Sequence, residues 1–254
     1  MTLALRISLV IHAAGLLVLV FQPGAWPWLL AAVAANHLVL FAAVFQVRGE
    51  LLGPNLTRLP AASAAHGEVC LTFDDGPHPE LTPRVLEILE RYHAKASFFC
   101  VGEKAAAHPD IVRDIARRGH SVENHSYRHP GAFAFYGVAL LRREVEKAQV
   151  ALAAITGRAP QFFRAPFGFR SPLLGFALAP LGLRYVSWTR RGFDAGRSDP
   201  ARVLRRLTTG LAAGDVLLLH DSKPASLAIL PPLLERVAAR SLKCVSLPAA
   251  CNRS

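Results

Sequence analysis

Two long apolar runs open the chain, and a regular alternation of short apolar and amphipathic segments follows them. The first run covers residues 3–21 and the second covers residues 25–47, with a Gln-Pro-Gly break between them. Roughly 20 residues are enough for a helix to cross a bilayer. Trp26 and Trp28 stand at the turn, where aromatic side chains favour the membrane–water interface. The pattern predicts a transmembrane helical hairpin over residues 1–48.

A cleaved signal peptide is the alternative to this hairpin. The first run, however, has no Ala-x-Ala-like exit, and a second apolar run follows at once. The turn carries no Lys or Arg, whereas Arg6, Arg48 and Arg58 flank the outer ends of the two runs. Because cationic residues favour the cytoplasmic side, we expect an inner or plasma membrane protein whose domain faces the cytoplasm. Residues 49–66, with a Gly-Pro pair and an Ala/Ser tract, are expected to form a linker.

Strand-like and helix-like patterns alternate from Glu68 onwards. The run from Val69 to Phe73 is almost wholly apolar, as expected of a strand buried on both faces. Similar runs follow at residues 96–101, 120–124, 161–164, 183–188, 215–220 and 242–247. Helix N-terminal signals stand between them at Thr82-Pro83, His108-Pro109, Ser171-Pro172 and Asp199-Pro200. About seven βα units predict a parallel α/β sheet over residues 67–251, as a barrel or an incomplete barrel, with a doubly wound open sheet as the alternative.

Polar residues with catalytic or metal-binding potential stand at the ends of these predicted strands. They are Asp74 and Asp75, His125 and His129, Arg164, Asp194 and His220. The carboxyl ends of parallel strands meet at one face of a barrel, which is the face that carries the active site. The sequence therefore predicts that these side chains form one site.

Two of these residues, His125 and His129, are four positions apart, a spacing that predicts one face of a helical turn. With the carboxylate of Asp75 they form a His₂–Asp set that leaves coordination positions open for water and substrate. Non-haem iron oxygenases use the same donor types, so the ligand set alone leaves that chemistry open.

A second carboxylate and a further histidine favour hydrolysis. Water on a bound metal has its pKa lowered towards ~7, and Asp74 is placed to take its proton. His220 is then available to protonate a leaving group, with Asp194 holding its ring. The chain has no Gly-x-Ser-x-Gly elbow and no Gly-rich phosphate loop, which argues against a serine hydrolase and a nucleotide-binding protein.

Four ordered motifs resemble those of the polysaccharide deacetylases, the NodB-homology enzymes of carbohydrate esterase family four. The motifs are Thr72-Phe73-Asp74-Asp75-Gly76, His125-Ser126-x-x-His129, Arg164-x-Pro166-Phe167 and Leu218-Leu219-His220. The resemblance covers roughly residues 66–250. It implies a distorted (β/α)₇ barrel after the hairpin and a divalent metal, usually zinc, that serves to remove N-acyl groups from amino sugars.

The resemblance also implies a role for each matching residue. It makes Asp74 the general base, Asp75, His125 and His129 the metal ligands, Arg164 the brace of Asp74, the backbone around Phe167 a contributor to the oxyanion site, and His220 the general acid, oriented by Asp194. The fourth motif departs from the family pattern Asp-x-x-Asp-Trp, because this chain has Arg191-Gly192-Phe193-Asp194-Ala195. An added cation at Arg191 and the loss of a tryptophan wall suggest a substrate that is anionic or carries a lipid phosphate.

Composition adds limits on the partners. The chain has 254 residues, 52% of them hydrophobic, and a formal charge of +11 that lies almost wholly after residue 48. The basic residues are dispersed without interleaved aromatics, which argues against single-stranded nucleic acid and suits an anionic membrane or substrate. We expect a metal-dependent N-deacetylase, with zinc as the cation, acting on an N-acylated amino sugar of a cell-envelope glycan or a lipid-linked precursor. A non-catalytic carbohydrate-binding or scaffold protein on the same fold is the alternative.

Overall fold

A computed structural model of the chain describes residues 1–196, 199–247 and 251, so residues 197–198 and 248–250 of the predicted domain lie outside the described residues. The chain opens with two helices, α1 (Leu3–Phe21) and α2 (Trp26–Phe45). Both are long and apolar enough to cross a membrane, with mean hydropathies of 2.3 for the first span and 2.0 for the second, and few of their residues are buried in the protein. Such a pair is consistent with a membrane anchor or a signal sequence.

Polar side chains of the two helices lie at one depth and contact each other. Asn36 donates a hydrogen bond to Ser8 Oγ at 2.8 Å. The rings of His12 and His37 meet edge to face with their centroids 5.2 Å apart. Polar groups in an apolar surrounding are costly unless they find partners, so these contacts stabilise the pairing of α1 with α2.

The remainder of the chain alternates strands and helices. The strands are β1 (Glu68–Gly76), β2 (Ala96–Cys100), β3 (Ser121–Asn124), β4 (Phe162–Phe163), β5 (Arg184–Tyr185), β6 (Arg190–Arg191), β7 (Val216–His220) and β8 (Lys243–Cys244). The helices are α3 (Ala61–Ala65), α4 (Leu81–Arg91), α5 (Gly102–Ala107), α6 (Pro109–Arg117), α7 (Val138–Thr156), α8 (Gly175–Leu178), α9 (Pro200–Thr208) and α10 (Pro224–Ala238).

The strands form one curled parallel sheet in the order β5-β4-β3-β2-β1-β7-β6, and β8 pairs with the start of β1. Within the described residues no ladder joins β5 to β6, so the sheet stays open between them. This half-barrel confirms the predicted α/β sheet and the incomplete barrel. Helices cover its outer face, which explains why β2 and β7 are buried at every position.

The largest apolar cluster lies between the middle of the sheet and its covering helices. Phe73 of β1 and Phe98 of β2 stack with ring centroids 5.0 Å apart, and neither ring is more than 1% exposed. Leu86 and Leu89 of α4, together with Leu233 of α10, pack into the same cluster. Each such side chain contributes about 1.5–3 kcal/mol by its burial, and this packing holds β1 at the middle of the sheet.

Three local predictions were wrong. Helix α4 begins at Leu81, and the hydroxyl of Thr82, predicted as its N-cap, instead accepts from the His78 amide at 2.8 Å and donates to Asp221 at 2.5 Å. Helix α8 begins at Gly175, four residues after the predicted start at Ser171. Strand β6 was not predicted, because its two residues are both arginines and carry no apolar pattern.

The segment expected to be a linker packs closely on the domain. Leu56 pairs with Val186 and Arg58 pairs with Asp215 in isolated β-bridges. The end of α2 packs beside the loop after β4, where the rings of Phe45 and Phe169 meet with centroids 5.0 Å apart. The hairpin therefore leaves the domain next to the rim of the half-barrel.

Candidate active site

The two neighbouring aspartates at the end of β1 face different surroundings. The register of β1 against β2 shifts between Asp74 and Gly76, and Asp75 has a positive φ of 71°. Such an irregularity re-aims a side chain at the rim of a barrel. The side chain of Asp74 is 5% exposed and that of Asp75 is 24% exposed. The carboxylate of Asp74 is thus enclosed, and that of Asp75 faces the open end of the half-barrel.

Asp75, His125 and His129 converge. Asp75 Oδ1 lies 3.2 Å from His129 Nε2 and 3.5 Å from His125 Nε2, and one ligand atom from each residue lies within 4.8 Å of the other two. Two imidazoles and a carboxylate are donors that suit Zn²⁺ and related divalent cations. These three side chains therefore lie together at the strand ends.

The backbone between the two histidines is not the predicted helical turn. Residues 125–129 form a loop, in which Ser126 has a φ of 62° and His129 a φ of 54°. Local hydrogen bonds hold this shape: the His129 amide donates to Ser126 Oγ at 3.0 Å, and Ser126 donates its own amide to Asn124 Oδ1 at 3.0 Å. Glu144 of α7 accepts the next two amides of the loop, at 3.1 and 2.8 Å.

A backbone carbonyl orients the His125 ring. His125 Nδ1 lies 2.8 Å from the carbonyl oxygen of Arg164. Nδ1 must donate in this contact, because a carbonyl oxygen only accepts, and Nε2 is the ring nitrogen that faces Asp75. An orienting contact of this kind is typical of metal-binding histidines.

Arg164 holds Asp74 in the interior. Its guanidinium donates to Asp74 Oδ1 at 2.6 Å, to Thr72 Oγ1 at 2.8 Å and to the Ser187 carbonyl at 2.8 Å. The Arg164 side chain is fully buried, and its guanidinium stacks on Phe99 at 4.1 Å from the ring centroid. Charges this deep are tolerated only when paired and fully hydrogen-bonded, as here.

His220 and Asp194 form a second buried pair. His220 Nδ1 lies 2.8 Å from Asp194 Oδ1, while Asp194 Oδ2 accepts the His220 amide and the Ser226 hydroxyl, each at 2.8 Å. Burial alone lowers the pKa of His220, but the hydrogen bond and charge of Asp194 outweigh burial, so this pKa lies above its ordinary value. The same bond makes the pKa of Asp194 lower than usual, against the opposing effect of burial.

The cluster favours an ionised carboxylate and neutral imidazole. Burial raises the pKa of Asp75, but the hydrogen bond and charge of His125 and the charge of His129 outweigh it, leaving the pKa well below its usual range. Burial, with a smaller contribution from the charge of His125, lowers the pKa of His129 to about 4. These are the protonation states in which carboxylate and imidazole bind a cation.

Phe167 lies at the rim of the half-barrel. Arg191 is separated from Asp74 and Arg164 by the ring of Trp188. Phe167 has a φ of 60°, is 49% exposed, and its ring centroid is 4.8 Å from that of His129. The Arg191 guanidinium lies over the ring of Trp188, 5.2 Å from its centroid. Trp188 also lies 5.6 Å from the Arg164 guanidinium, so it separates Arg191 from the buried pair.

Three residues that position the site were missed by sequence reasoning: Glu144, Ser226 and Trp188. Glu144 and Ser226 stand within helical patterns, where a polar residue usually faces solvent, and nothing local marks their distant partners. Trp188 ends a predicted apolar strand, a position that predicts a buried core residue. The glycine at position 168 is the trace that the packing of Trp188 leaves in the sequence. Its φ of 80° suits glycine, and an added Cβ would lie 2.5 Å from the Trp188 ring.

Comparisons with known proteins agree with this geometry. The family model for polysaccharide deacetylase matches residues 62–186. A chitooligosaccharide deacetylase of Azorhizobium caulinodans is 36% identical over 159 residues, covering 61% of this chain and 74% of the relative. These matches favour amide hydrolysis over the oxygenase alternative.

Solved structures share the fold. A peptidoglycan N-acetylglucosamine deacetylase superposes with a TM-score of 0.72 at 29% identity, covering 79% of this chain and 94% of that one. A family 4 carbohydrate esterase pseudoenzyme from Bacillus anthracis superposes with a TM-score of 0.71 at 23% identity, covering 78% and 68%, and shows the shared fold alone. With its motifs in order on the same half-barrel, the chain belongs to the polysaccharide deacetylase family.

Proposed function

We propose that this protein is a membrane-anchored, metal-dependent hydrolase that removes acetyl groups from N-acetylated amino sugars of a cell-envelope glycan or a lipid-linked precursor. The observation that carries the proposal is the convergence of Asp75, His125 and His129 beside Asp74, which Arg164 holds in place. The family match and the chitooligosaccharide deacetylase relative support the choice of substrate class.

The residues fit a divalent cation, and the donor set favours zinc. Asp75 Oδ1, His125 Nε2 and His129 Nε2 would hold it, with His125 fixed by its contact to the Arg164 carbonyl. When bound, such a cation supplies Lewis acidity, which acidifies water and polarises the amide carbonyl of the substrate.

Asp74 is the general base in this proposal. Its carboxylate is enclosed beside the cluster, and Arg164 occupies Oδ1 at 2.6 Å, which fixes the group and leaves Oδ2 for a water proton. A base held rigidly beside the nucleophile needs little reorganisation during proton transfer.

His220 is the general acid. Asp194 raises the pKa of His220 above its ordinary value, which favours the protonated ring, and Asp194 and Ser226 fix its orientation. Amide hydrolysis needs this proton because the sugar amine leaves only once its nitrogen is protonated. In this proposal, the backbone near Phe167, at the rim beside His129, stabilises the negative charge that develops on the carbonyl oxygen of the substrate.

The hairpin of α1 and α2 anchors the domain to the membrane. Arg6, Arg48 and Arg58 at its domain-side ends favour the cytoplasmic face by the positive-inside rule. Reporter fusions at the Pro23–Ala25 turn and at the C-terminus test this: we expect a translocated-side signal at the turn and a cytoplasmic signal at the C-terminus. The opposite pattern would place the domain outside the cytoplasm.

Acetate release tests the function. The full chain, purified in detergent and stripped by a chelator, is assayed on tri-N-acetylchitotriose with and without added ZnCl₂. We expect acetate release that requires the metal and is lost in Asp74→Asn. If the metal-loaded wild type releases no acetate from chitin oligomers, peptidoglycan fragments or lipid-linked amino sugars, the alternative of a non-catalytic carbohydrate-binding protein replaces the proposal.

A further inference from the structure

A basic cavity lies along the open edge of the sheet, outside the catalytic cluster. Its volume is about 580 Å³, and its charged lining consists of Arg48, Arg58, Arg190, Arg191, Arg206 and Asp215. We call it the arginine pocket. Five guanidinium groups face one carboxylate there, which leaves a clear excess of positive charge.

The one carboxylate is already engaged. Asp215 is buried, pairs with Arg58 at 3.1 Å and forms a shorter ion pair with Arg190. Arg48 donates to the backbone carbonyls of Trp188 and Thr189. These three arginines therefore have structural partners that account for their positions.

Arg191 and Arg206 differ from the other three. Their guanidinium carbons lie 4.9 and 5.1 Å from the centroid of the same ring, Phe193. In the part of the chain that the structure describes, no carboxylate lies within ion-pair distance of either, and Arg191 Nε is buried with no hydrogen-bond partner. Two cations gathered on one ring repel each other, and an anion between them would relieve the repulsion and satisfy the buried N–H.

The chemistry of the pocket points to phosphate. Guanidinium groups match phosphate oxygens with paired, charge-assisted hydrogen bonds, and several arginines together suit a group with more than one negative charge. A solvated basic surface without a ligand is the simpler explanation. Cation–π stacking on Phe193 accounts for the position of either guanidinium, but it leaves the buried Nε–H of Arg191 without an acceptor.

Two residues of the pocket, Arg48 and Trp188, connect it to the membrane anchor and to the catalytic residues. Arg48 follows the last residue of α2 by three positions. Trp188 lies 5.2 Å from the Arg191 guanidinium and 5.6 Å from that of Arg164, which holds Asp74, so the pocket and the site share this ring as a wall. Phe193 directly precedes Asp194, the partner of His220.

From this placement we infer that the arginine pocket binds the phosphate or diphosphate that joins an amino sugar to a membrane lipid, while the sugar occupies the catalytic cluster. The inference rests on the proposed deacetylation, and it narrows the substrate to a lipid-linked amino sugar. It gives the cation at Arg191, which departs from the family motif, a defined role.

Two matched substrates test the inference by activity. One is N-acetylglucosamine on a polyprenyl diphosphate and the other is an uncharged alkyl N-acetylglucosaminide, each with the metal-loaded full chain in nanodiscs of neutral lipid. We expect the wild type to prefer the diphosphate, and Arg206→Gln to raise its KM for that substrate by roughly 10- to 100-fold. The KM for the alkyl glycoside should change less than about twofold, because that substrate carries no phosphate for the exposed side chain of Arg206 to bind.

Arg205→Gln is the matched control. It removes the same charge from the same helix, α9, but Arg205 does not line the pocket. We expect it to leave the substrate preference unchanged. A wild type that prefers neither substrate, or an equal loss of preference in Arg205→Gln and Arg206→Gln, would overturn the inference while deacetylation still stands.

Direct binding tests the pocket without catalysis. Calorimetry with inorganic diphosphate on the chelator-treated full chain should show binding that Arg191→Gln and Arg206→Gln each weaken about tenfold or more. Absence of binding to the wild type, or variants that bind diphosphate as tightly as the wild type does, would contradict the inference even if the enzyme releases no acetate.

Anionic lipid headgroups carry the same chemistry, so the lipid composition separates the two sources. Repeating the activity assay in phosphatidylglycerol nanodiscs should preserve the preference for the diphosphate substrate. If the preference disappears in those discs, the pocket binds bulk headgroups, and the inference of a substrate phosphate is wrong.

Discussion

The two sides of the half-barrel differ in how their functional groups are held. On one side, β1 has nine residues and β7 has five, and they pair in register over five positions. On the side of the open gap, β4, β5 and β6 have two residues each, and β5 and β6 are the two edges of the sheet. Asp74, Asp75 and His220 belong to the long strands, whereas Arg191 belongs to the short edge.

The long strands position Asp74, Asp75 and His220, which are the proposed catalytic and metal-binding residues, whereas the short edge carries Arg191, which is proposed to bind the substrate phosphate. A residue at the end of a long buried strand inherits its position from many ladder hydrogen bonds and from core packing on both faces. A residue on a two-residue edge strand is placed mainly by its own side-chain contacts. An edge residue that holds no catalytic group can therefore be exchanged at little cost, which fits the departure from the family motif at Arg191. Arg164 after β4 and Asp194 after β6 differ from it, because their side chains hold Asp74 and His220.

The largest expected effect is on the long-strand side. Asp74→Asn removes the proposed base but keeps the side-chain volume and a hydrogen-bond acceptor for Arg164. We expect kcat for acetate release to fall by about 10²- to 10⁴-fold. Asp110→Asn is the matched control, because Asp110 is 92% exposed on α6, and it should retain wild-type kcat. Comparable kcat values for the two variants would mean that a residue other than Asp74 is the general base.

The second effect concerns stability. Arg164→Met leaves the carboxylate of Asp74 buried without its ion-pair partner, which costs about 3–5 kcal/mol in the free energy of unfolding. Chemical unfolding of the full chain in detergent, followed by circular dichroism, measures the loss. Arg158→Met, at an exposed position, should change stability by less than about 0.5 kcal/mol. Adding Asp74→Asn to Arg164→Met should recover part of the loss, and no recovery would mean that the charge pair is not its source.

The third effect is on the pH profile. Asp194 favours the charged form of His220 and keeps its pKa above the ordinary value, so Asp194→Asn should lower that pKa. A general acid works while protonated, and activity is lost as pH rises through its pKa. We therefore expect the alkaline limb of the kcat/KM profile to move to lower pH in Asp194→Asn. A limb that stays in place would assign the acid to another group.

The smallest effect is at the short edge. Phe193→Ala removes a ring that is 52% exposed, and we expect the free energy of unfolding to change by less than about 0.5 kcal/mol. Leu219→Ala in the buried strand β7 is the comparison, with an expected loss of about 2–5 kcal/mol. Equal losses in the same unfolding assay would remove the distinction between the two sides.

The sequence predicted the long-strand side well, because its signals are local and strong. The apolar run before Asp74 and Asp75 indicates β1, and the rule that parallel strands end at one face brings His125 and His220 to the same place. The number and spacing of the βα units predicted a barrel or an incomplete barrel, and the structure has the incomplete one.

The other side was less predictable, for physical reasons. Strand β6 consists of two arginines whose pairing with β7 is set by tertiary contacts and not by an apolar pattern. The loop from His125 to His129 takes positive φ values because Asn124, Ser126 and Glu144 accept its amide hydrogens, and these contacts have no signature in residue spacing. The role of Trp188 as a shared wall likewise depends on packing across the sheet.

Zinc stoichiometry of the purified full chain tests the central claim most directly. If Asp75, His125 and His129 hold a cation, elemental analysis after dialysis should give about one zinc per wild-type chain and almost none in the His125→Ala/His129→Ala double variant. Circular dichroism must show that the variant keeps the wild-type secondary structure. A folded double variant that retains as much zinc as the wild type, or a wild type that binds no divalent metal, would contradict the account.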